Sequence, residues 1–449
     1  MKKPVKISLT IFGVLAALLL GGYAFMYWST HSAGDIHWKS DVIPAPVKVL
    51  PPLRLDGQGW PAWQGPMGND HSPVTHMVKD WSKGLKKVWE VQYLCRGPKS
   101  MSYSCPAIQG NRLVVPGRDG ENDLLFCLDP ETGKLLWMRS FALASDDKYG
   151  QGPRATPTFD GDKVYTFSRE GDIRCHALFD GALIWEASIT NAGCTPPEWG
   201  SSGSPLVRGD RLILHAGGSS LALAYDKKCG ALLWKSAPGK GCYTTPVPMT
   251  IGGVETVVLF HQKAISFLDP ATGAPRWELP LGPFATDMTV TTPSLGDGRI
   301  FFSTLKSGGS TAVETKSGRP EILWQSNLIQ CYQGNPILLD GYVYSYSGMY
   351  FLNPKGSFKC VSMADGRLQW ETSRVGIGTM IYADGHFVCL DVDGNLFLVK
   401  PDAKAFRLVT EFRGAIPEVK TRAWTKPVIA DGKLFLRHGN RLICYRLTK

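Results

Sequence analysis

The sequence contains few of the residue patterns that hold metal ions or haem. Its 11 cysteines include no Cys-x-x-Cys pair and no Cys-x-x-Cys-His haem-attachment motif, and its 9 histidines show no ligand spacing. After the N-terminal segment no helical periodicity is present, and no basic run accompanies the net charge of +10. These absences argue against a metalloprotein, a c-type cytochrome, a helical bundle and a nucleic-acid-binding protein.

A repeat marked by tryptophan is the strongest positive signal. Around the tryptophans, a short alternating apolar strand, a turn closed by glycine and a second apolar strand predict a hairpin, as in residues 125–137 and 265–277. A second strand pair precedes the hairpin and begins at Thr-Pro, Ser-Pro or Asn-Pro, as in residues 156–167. The tryptophans recur every 43 to 49 residues: Trp89, Trp137, Trp185, Trp234, Trp277, Trp324 and Trp370. Four strands per repeat predict the blade of a β-propeller, with tryptophan packing between neighbouring blades.

The two ends of the repeat determine the number of blades. Residues 406–412 stand where the closing strand of a seventh blade is expected, without its tryptophan. Residues 425–445 supply three more strands, and residues 87–91 form a closing strand with no preceding three. We therefore predict an all-β fold over residues 59–449, an eight-bladed β-propeller of four-stranded antiparallel blades. Pairing of the N- and C-terminal strands would close the ring and remove its free sheet edges.

The hairpin signature resembles that of the quinoprotein-like (PQQ-like) propeller repeat family. Asp129 to Trp137 and Asp269 to Trp277 match its Asp-x-x-Thr-Gly-x-x-x-Trp pattern, and the resemblance covers about residues 60–449. The family includes quinone-dependent alcohol and sugar dehydrogenases and also catalytically silent propellers, such as the lipoprotein of the bacterial outer-membrane assembly machine. Residues 60–72 are similar to the Trp-Pro-x-Trp-Arg-Gly-Pro element of a group of bacterial membrane-anchored PQQ-like repeat proteins, with Gln64 in place of the usual arginine.

The features that the resemblance associates with quinone catalysis are missing from the sequence. Quinone-binding members use a vicinal Cys-Cys disulfide, a Ca²⁺ held by acidic and amide side chains, and an aspartate base. This chain has no Cys-Cys pair and is shorter than those dehydrogenases, and Asp129 and Asp269 are typical of carboxylates that cap their own turns. We predict no catalytic residue, no metal and no cofactor, and keep a PQQ- and Ca²⁺-dependent oxidoreductase as an alternative.

The N-terminus predicts export. Lys2, Lys3 and Lys6 precede an uncharged apolar stretch over residues 7–28, which as a helix of about 33 Å is long enough to cross a bilayer. The lysines indicate a cytoplasmic tail over residues 1–6 and a single-pass anchor in the inner membrane, with the propeller in the periplasm. A cleaved signal peptide is the alternative. Residues 29–58 are rich in proline and are predicted to form a semi-extended spacer.

An odd number of cysteines leaves at least one unpaired or joined to another chain. Four occupy equivalent third-strand positions and are interpreted as small buried hydrophobes: Cys127, Cys175, Cys360 and Cys444. Six others fall in predicted turns or loops and are candidates for disulfide bridges of unspecified connectivity: Cys95, Cys105, Cys194, Cys229, Cys242 and Cys331.

The candidate ligand site lies at the mouth of the propeller axis, where loops lead into the first strand of each blade. These loops carry Tyr103, Arg154, Trp199, Tyr243, Asp287, Tyr332, Gln333, Asn335 and Trp424. Aromatic faces with a few hydrogen-bonding groups suit sugars, peptides or a flat cofactor. The alternative is that several of these side chains plug the channel.

Taken together, these patterns predict a membrane-anchored, non-catalytic scaffold of the bacterial cell envelope. Its expected partners are envelope proteins or peptides, the ring itself is expected to be monomeric, and no nucleic acid is expected. A PQQ-dependent oxidoreductase and a carbohydrate-binding propeller are the alternatives.

Overall fold

The computed structural model describes Trp38 and residues 40–147, 149–284, 289–304, 309–348 and 356–449. The predicted cytoplasmic tail and transmembrane anchor lie outside these residues. Within them, no helix is long and apolar enough to span a membrane.

Eight four-stranded antiparallel blades form the fold, as predicted. Three strands precede the first complete hairpin: β1 (His71–Ser72), β2 (Lys87–Val91) and β3 (Cys95–Arg96). Blade 1 contains β4 (Ala107–Gln109), β5 (Arg112–Asp119), β6 (Asn122–Leu128) and β7 (Leu135–Ala142); blade 2 contains β8 (Thr158–Asp160), β9 (Lys163–Phe167), β10 (Asp172–Ala177) and β11 (Leu183–Ser188). Blade 3 contains β12 (Leu206–Arg208), β13 (Arg211–His215), β14 (Ala222–Asp226) and β15 (Leu232–Lys235); blade 4 contains β16 (Val247–Ile251), β17 (Val254–Phe260), β18 (Ala264–Leu268) and β19 (Pro275–Pro280).

The second half of the ring repeats the same order. Blade 5 contains β20 (Ser294–Gly296), β21 (Arg299–Ser303), β22 (Ser310–Glu314) and β23 (Glu321–Ser326); blade 6 contains β24 (Ile337–Leu339), β25 (Tyr342–Ser347), β26 (Ser357–Ser362) and β27 (Leu368–Thr372). Blade 7 contains β28 (Gly378–Ala383), β29 (His386–Asp391), β30 (Leu396–Lys400) and β31 (Arg407–Phe412); blade 8 contains β32 (Val428–Ala430), β33 (Lys433–His438) and β34 (Arg441–Arg446). Two short 3₁₀-helices, Thr190–Ala192 and Gly282–Phe284, lie between blades.

The N-terminal strand β2 closes blade 8 by pairing with β34, with Trp89 opposite Cys444 and Val91 opposite Leu442. This confirms the predicted closure of the ring by its two ends. First strands of neighbouring blades touch one another, β4 with β8 and β8 with β12, so the first strands line the axis. We call the side with the loops into these strands the loop face. The opposite side carries the turns between strands 1 and 2 and between strands 3 and 4, and we call it the turn face.

A belt of hydrogen bonds around the axis explains why five blades begin with Ser, Thr or Asn before proline. At five successive junctions a backbone N–H donates to the side-chain oxygen of that residue in the next blade. The bonds join Cys105 N to Thr156 Oγ1 (3.3 Å), Thr156 N to Ser204 Oγ (2.9 Å), Ser204 N to Thr245 Oγ1 (2.9 Å), Thr245 N to Thr292 Oγ1 (3.2 Å) and Thr292 N to Asn335 Oδ1 (3.1 Å). The motif therefore links blades to one another, in addition to starting strands at proline.

The blade tryptophans lie between neighbouring blades. For six of them the indole N–H donates to a carbonyl in the strand 3–strand 4 turn of the next blade: Trp89 to Pro130, Trp137 to Leu178, Trp185 to Lys227, Trp234 to Pro270, Trp324 to Met363 and Trp370 to Asp402, at 2.7 to 3.2 Å. The ring packs on the turn glycine, as Trp137 does on Gly181, where a Cβ atom would stand 2.6 Å from the ring. Glycine is thus required both by its φ of 79° and by this close approach.

The seventh blade receives a tryptophan from the N-terminal segment. Thr410 stands at the register position of the blade tryptophan, opposite Leu398 beside the bulge. Trp81 is fully buried there; its backbone N–H donates to Thr410 Oγ1 (3.0 Å) and its indole N–H to Val78 O (2.8 Å). The missing repeat residue is therefore compensated by one that lies more than 300 residues away along the chain.

The segment predicted to be a spacer is extended, but from residue 40 onward it lies on the ring. Asp41 N donates to Gln92 O (2.9 Å) and Val47 N to Leu135 O (3.0 Å). Farther along, Arg112 Nη2 donates to Pro51 O (2.9 Å). Its half-buried apolar side chains pack on blades 1 and 8: Ile43, Val47, Leu50, Leu53 and Leu55. The proline content predicts the extended conformation of this segment, whereas its apolar side chains hold it against the ring. The folded part of the chain therefore begins before residue 59.

The cysteines are unpaired. None of the 11, all of which lie within the described residues, forms a disulfide, so the loop cysteines are not bridged to one another in this structure. The four third-strand cysteines are buried, and Cys127, Cys175, Cys360 and Cys444 each stand opposite a blade tryptophan. Burial raises the pKa of Cys242 to about 11 and that of Cys389 to about 12, which keeps these thiols protonated.

We expect Trp137→Phe to lower the free energy of unfolding by about 1–2 kcal/mol, because it removes the hydrogen bond to Leu178 O and part of the ring volume against Gly181. Urea unfolding followed by circular dichroism measures the change. The control is Leu183→Ala in the neighbouring blade, whose side chain is exposed and whose loss should cost less than about 0.5 kcal/mol. Equal effects of the two substitutions would show that the tryptophan does not hold the blades together.

Candidate functional site

The axial channel is occupied by the chain itself. Residues 57–72, which we call the channel segment, begin at the turn face, where Gln58 N donates to Asp431 Oδ1 (2.6 Å). Trp60 exchanges both backbone hydrogen bonds with Ile108 of β4 (2.8 and 2.9 Å), and Pro61 O accepts from Phe159 N of β8 (2.9 Å). The segment therefore enters along the first strands of blades 1 and 2.

The channel segment then crosses to the other half of the ring. Trp63 Nε1 donates to Thr292 Oγ1 (3.1 Å) and Gln64 Nε2 donates to Pro293 O (3.2 Å), both at the start of blade 5. Strand β1 returns in parallel along β28 of blade 7, with His71 opposite Tyr382. The channel segment, which contains the Trp-Pro-x-Trp-Gln-Gly-Pro element, is thus a central plug, and it contacts six of the eight blades when its bonds to blades 6 and 8 are included.

One buried carboxylate, Asp70, bonds to both blade 6 and blade 8. Its Oδ2 accepts from Asn335 Nδ2 of blade 6 (3.1 Å), and its Oδ1 forms an ion pair with Lys426 Nζ of blade 8. Both charged side chains are almost completely buried, with 1% and 3% of their surface exposed. The Lys426 ammonium also lies 3.8 Å from the centre of the Trp63 ring, a cation–π contact.

Asp70 replaces the belt residue that blade 7 lacks. The belt runs from Cys105 to Asn335, continues through Asp70 to Lys426, and returns to blade 1 because Cys105 Sγ–H donates weakly to Lys426 O (3.8 Å). Each oxygen of this carboxylate therefore has a structural partner. The cluster holds the ring and plug together and presents no reacting group.

The structure places most of the predicted site residues on the loop face and one of them in the plugged channel. Asn335 is buried in the Asp70 cluster, so it belongs to the plugged channel that the sequence had left as an alternative. Gln333 is half-buried in the loop before β24, and Asp287 lies outside the described residues. The remaining residues are half-buried on the loop face: Tyr103, Arg154, Trp199, Tyr243, Tyr332 and Trp424.

Four of the loop-face residues form one continuous array. The Arg154 guanidinium lies 5.9 Å from the Tyr103 ring centre, and its Nη1 donates to Trp199 O. The Trp199 and Tyr243 rings are stacked, with centres 5.1 Å apart and planes 19° from parallel. Burial raises the pKa of Tyr243 to about 12, which keeps its hydroxyl protonated and able to donate.

A second aromatic pair lies on the same face. The Tyr332 and Trp424 rings meet edge to face with centres 5.1 Å apart. Burial raises the pKa of Tyr332 to about 12, with a further contribution from Tyr149. The Tyr149 ring meets Trp199 edge to face at 6.2 Å, so aromatic residues from several blades lie close together.

The stacked pair forms one wall of an open cleft of about 400 Å³ between blades 3 and 4. The cleft is lined by Thr195, Pro196, Pro197, Glu198, Trp199, Gly218, Lys240, Gly241, Tyr243 and Gln262. Proline and aromatic surfaces alternate there with one acidic, one basic and one amide side chain. Such a surface can bind an extended peptide by apolar contact and a few directional hydrogen bonds.

Sequence reasoning missed the groups that position this site. Asp147 accepts from Arg154 Nη2 (3.2 Å) and from Arg169 Nη2 (3.3 Å), and so fixes both guanidinium groups. Lys240 and Gln262 also line the cleft but come from loops of different blades. No sequence spacing marks these residues, because only the ring geometry brings their loops together.

The described residues do not fit a quinone with Ca²⁺. Trp60, Trp63 and Asp70 occupy the axis, and the Asp70 carboxylate is already held by Lys426 and Asn335. In the described part of the chain, no group of three or more His, Cys, Asp or Glu side chains is placed to hold a metal ion. We therefore derive no step through such a cofactor.

Comparison with known proteins is consistent with the repeat. The family profile described as "Outer membrane protein assembly factor BamB" matches residues 127–372. A curated relative, the outer membrane protein assembly factor BamB of Moranella endobia (strain PCIT), is 25% identical over 268 residues. That match covers 55% of this chain and 64% of the relative, so the chain spans less than two thirds of the relative's length.

Two solved structures share the fold. BamB from Moraxella catarrhalis has a TM-score of 0.57 at 15% identity, with 81% of this chain and 100% of that chain covered. Quinohemoprotein alcohol dehydrogenase from Comamonas testosteroni has a TM-score of 0.61 at 12% identity, with 86% and 80% covered. BamB and an alcohol dehydrogenase are thus similar to this chain to a comparable degree, so the fold alone does not distinguish their functions.

Proposed function

Since the chain belongs to the PQQ-like repeat family described as outer membrane protein assembly factor BamB, we propose that it is a non-catalytic, protein-binding scaffold of the bacterial cell envelope. The proposal rests on one observation above all. The axis is filled by residues 60–72, whereas the loop face keeps an open aromatic cleft that exposes Lys240.

The chemistry of the cleft favours binding over catalysis. Tyr243 is kept protonated by burial, and Arg154 is held by Asp147 and the Trp199 carbonyl. Pro196, Pro197 and the stacked rings offer rigid apolar surface whose ordering costs little entropy on binding. We propose that the ligand is an extended segment of an envelope protein, with its charged groups placed near Glu198 and Lys240.

The proposal includes an uncleaved anchor over residues 7–28 in the inner membrane and a propeller in the periplasm. Trp38 is packed on the loop face, where its ring meets His438 edge to face at 5.5 Å. Residues 29–37 reach at most about 30 Å when fully extended. The loop face near blades 8 and 1 would therefore lie close to the membrane, where membrane-bound partners are concentrated.

A photo-crosslinking residue at Lys240 tests the scaffold proposal. In carbonate-washed membranes that retain the full-length chain, we expect it to capture a discrete envelope protein, and Trp199→Ala should reduce the yield at least about tenfold by removing the stacked wall. The same crosslinker at Lys228, exposed on the turn face of blade 3, is the control and should capture none.

Several outcomes would contradict the proposal. Equal capture at Lys240 and Lys228 would mean that the contact is non-specific. Stoichiometric binding of PQQ with Ca²⁺, seen as cofactor absorbance after reconstitution, would favour the oxidoreductase. Binding of an oligosaccharide that is lost in Trp199→Ala, without protein capture, would favour the carbohydrate-binding propeller.

A further inference from the structure

The outermost strands carry an apolar pair at one register position. In each of blades 1 to 6 a β-bulge lies next to the blade tryptophan, so that the residue before the tryptophan is unpaired in the ladder. In four blades this residue and the one before it are both Leu or Ile: Leu135–Leu136, Leu183–Ile184, Leu232–Leu233 and Ile322–Leu323. Blade 4 has Pro275 and Arg276 instead.

The pair in blade 1 is covered by the chain's own residues 41–55, which we call the rim segment. Val47 N donates to Leu135 O (3.0 Å), and Val47 and Leu50 pack on the cluster that contains Leu136. Leu135 and Leu136 are each only 3% exposed as a result. An extended segment therefore binds this edge with one main-chain hydrogen bond and two apolar side chains three residues apart, Val47 and Leu50.

The same edge is uncovered in blades 2, 3 and 5. Leu183 and Ile184 are 47% and 44% exposed, Leu232 and Leu233 are 41% and 46% exposed, and the blade 5 pair is 37% and 38% exposed. Large aliphatic side chains repeated at such exposure form candidate interaction sites. The six residues share the register of the covered pair, so they present the same surface to a binding segment.

We propose that the outer edges of blades 2, 3 and 5 bind extended, proline-containing apolar segments of a partner protein, of the same chemistry as the rim segment. The occupant needs one free amide opposite the first residue of the pair and apolar side chains on the inward face. Prolines elsewhere are tolerated, as Pro44 and Pro46 are on either side of Ala45, because only one donor is used. The outer edges of blades 2, 3 and 5 are separate from the loop-face cleft. A negative result at these edges would therefore leave the proposed protein binding at the cleft unaffected.

Other occupants fit less well. A second copy of the chain has its rim segment already engaged on its own blade 1 through Val47 and Leu135. A membrane surface would meet charged side chains beside the pairs, such as the exposed Glu186 and Lys235. The separate apolar pairs therefore suit individual peptide segments better than a continuous lipid surface.

The probe is a synthetic peptide of residues 41–55 with a benzophenone in place of Leu50, photolysed with the full-length protein in mild detergent. We expect labelling of β11, β15 and β23 and none of β19. Leu232→Lys with Leu233→Lys should reduce labelling of β15 at least about tenfold while β11 is still labelled. Both residues are exposed, so the unfolding midpoint should stay unchanged.

A variant that gains binding gives a second test, because a gain of labelling cannot result from a failure to fold. Pro275→Leu with Arg276→Leu should create a labelled edge on blade 4. A peptide N-methylated at Val47 should label all edges at least about tenfold less, because it lacks the donor. Labelling of β19 in the natural protein, equal labelling by the N-methylated peptide, or no effect of the lysine variants would overturn the inference. Self-association or vesicle binding that depends on Leu232 and Leu233, without peptide labelling, would also overturn it.

Discussion

Replacing Asp70 by alanine is expected to lower the free energy of unfolding by about 3–5 kcal/mol, one of the largest effects of any single substitution in this ring. The change leaves the Lys426 ammonium buried without a counter-ion and the Asn335 amide without its acceptor. It also breaks the hydrogen-bond belt at blade 7, where no side chain of that blade replaces it, and removes the bonds that join the plug to Asn335 and Lys426.

Urea unfolding of the full-length chain in mild detergent measures the effect. The double variant Asp70→Ala with Lys426→Met should recover at least half of the loss, because no unpaired charge remains buried. The control is Asp162→Ala, which breaks an exposed ion pair with Lys163 and should cost less than about 0.5 kcal/mol. A double variant no more stable than Asp70→Ala would show that the lost charge partner is not the cause.

The ring could be predicted from sequence because its signals are local and repeated. The turn glycine Gly181 and Trp137 contact each other across one blade junction, and four other junctions have the same contact between a blade tryptophan and a turn glycine. The same is true of Thr156 and Ser204, whose position before proline marks both a strand start and a belt bond. Because the pattern recurs around the ring, it predicts both the four-stranded blade and the closure of the ring.

The features that could not be predicted depend on contacts that occur at only one place in the ring. Asp70 and Lys426 are 356 residues apart, and Trp81 reaches Thr410 across 329 residues, with no repeated spacing to reveal either pair. The candidate site shows the same division. The sequence predicts Trp199 and Tyr243 as site residues because each lies in a loop before the first strand of a blade. Their stacking and the role of Asp147 depend on contacts between different loops, which the sequence does not show.

The second large effect is a loss of stability in mild acid, on the order of 4 kcal/mol between pH 7.5 and 5. Burial lowers the pKa of His176, His215 and His438 to about 4, with smaller contributions from nearby arginines to the lowered pKa of His176 and His438. Above pH 6.5 these rings are neutral in both states. Between pH 6.5 and 4 the unfolded chain binds protons that the folded ring does not, so stability falls as pH falls.

Asp123 acts in the opposite direction. Burial raises the pKa of Asp123 to about 6 in spite of its bond to Arg118, so the folded state binds a proton between pH 6 and 4 that the unfolded state does not. This offsets roughly one histidine and is included in the total. Urea unfolding at closely spaced pH values measures the net slope, which should approach two protons taken up on unfolding near pH 5.

Substitution of single histidines separates this linkage from a general effect of acid. His215→Gln keeps a side chain that can bond to Thr244 and should reduce the net slope near pH 5 by about half, from about two protons to about one, whatever its effect on stability at pH 7.5. His76→Gln alters an exposed ring and should leave the slope unchanged. If both variants keep the full slope, the loss of stability in acid comes from groups other than the buried histidines.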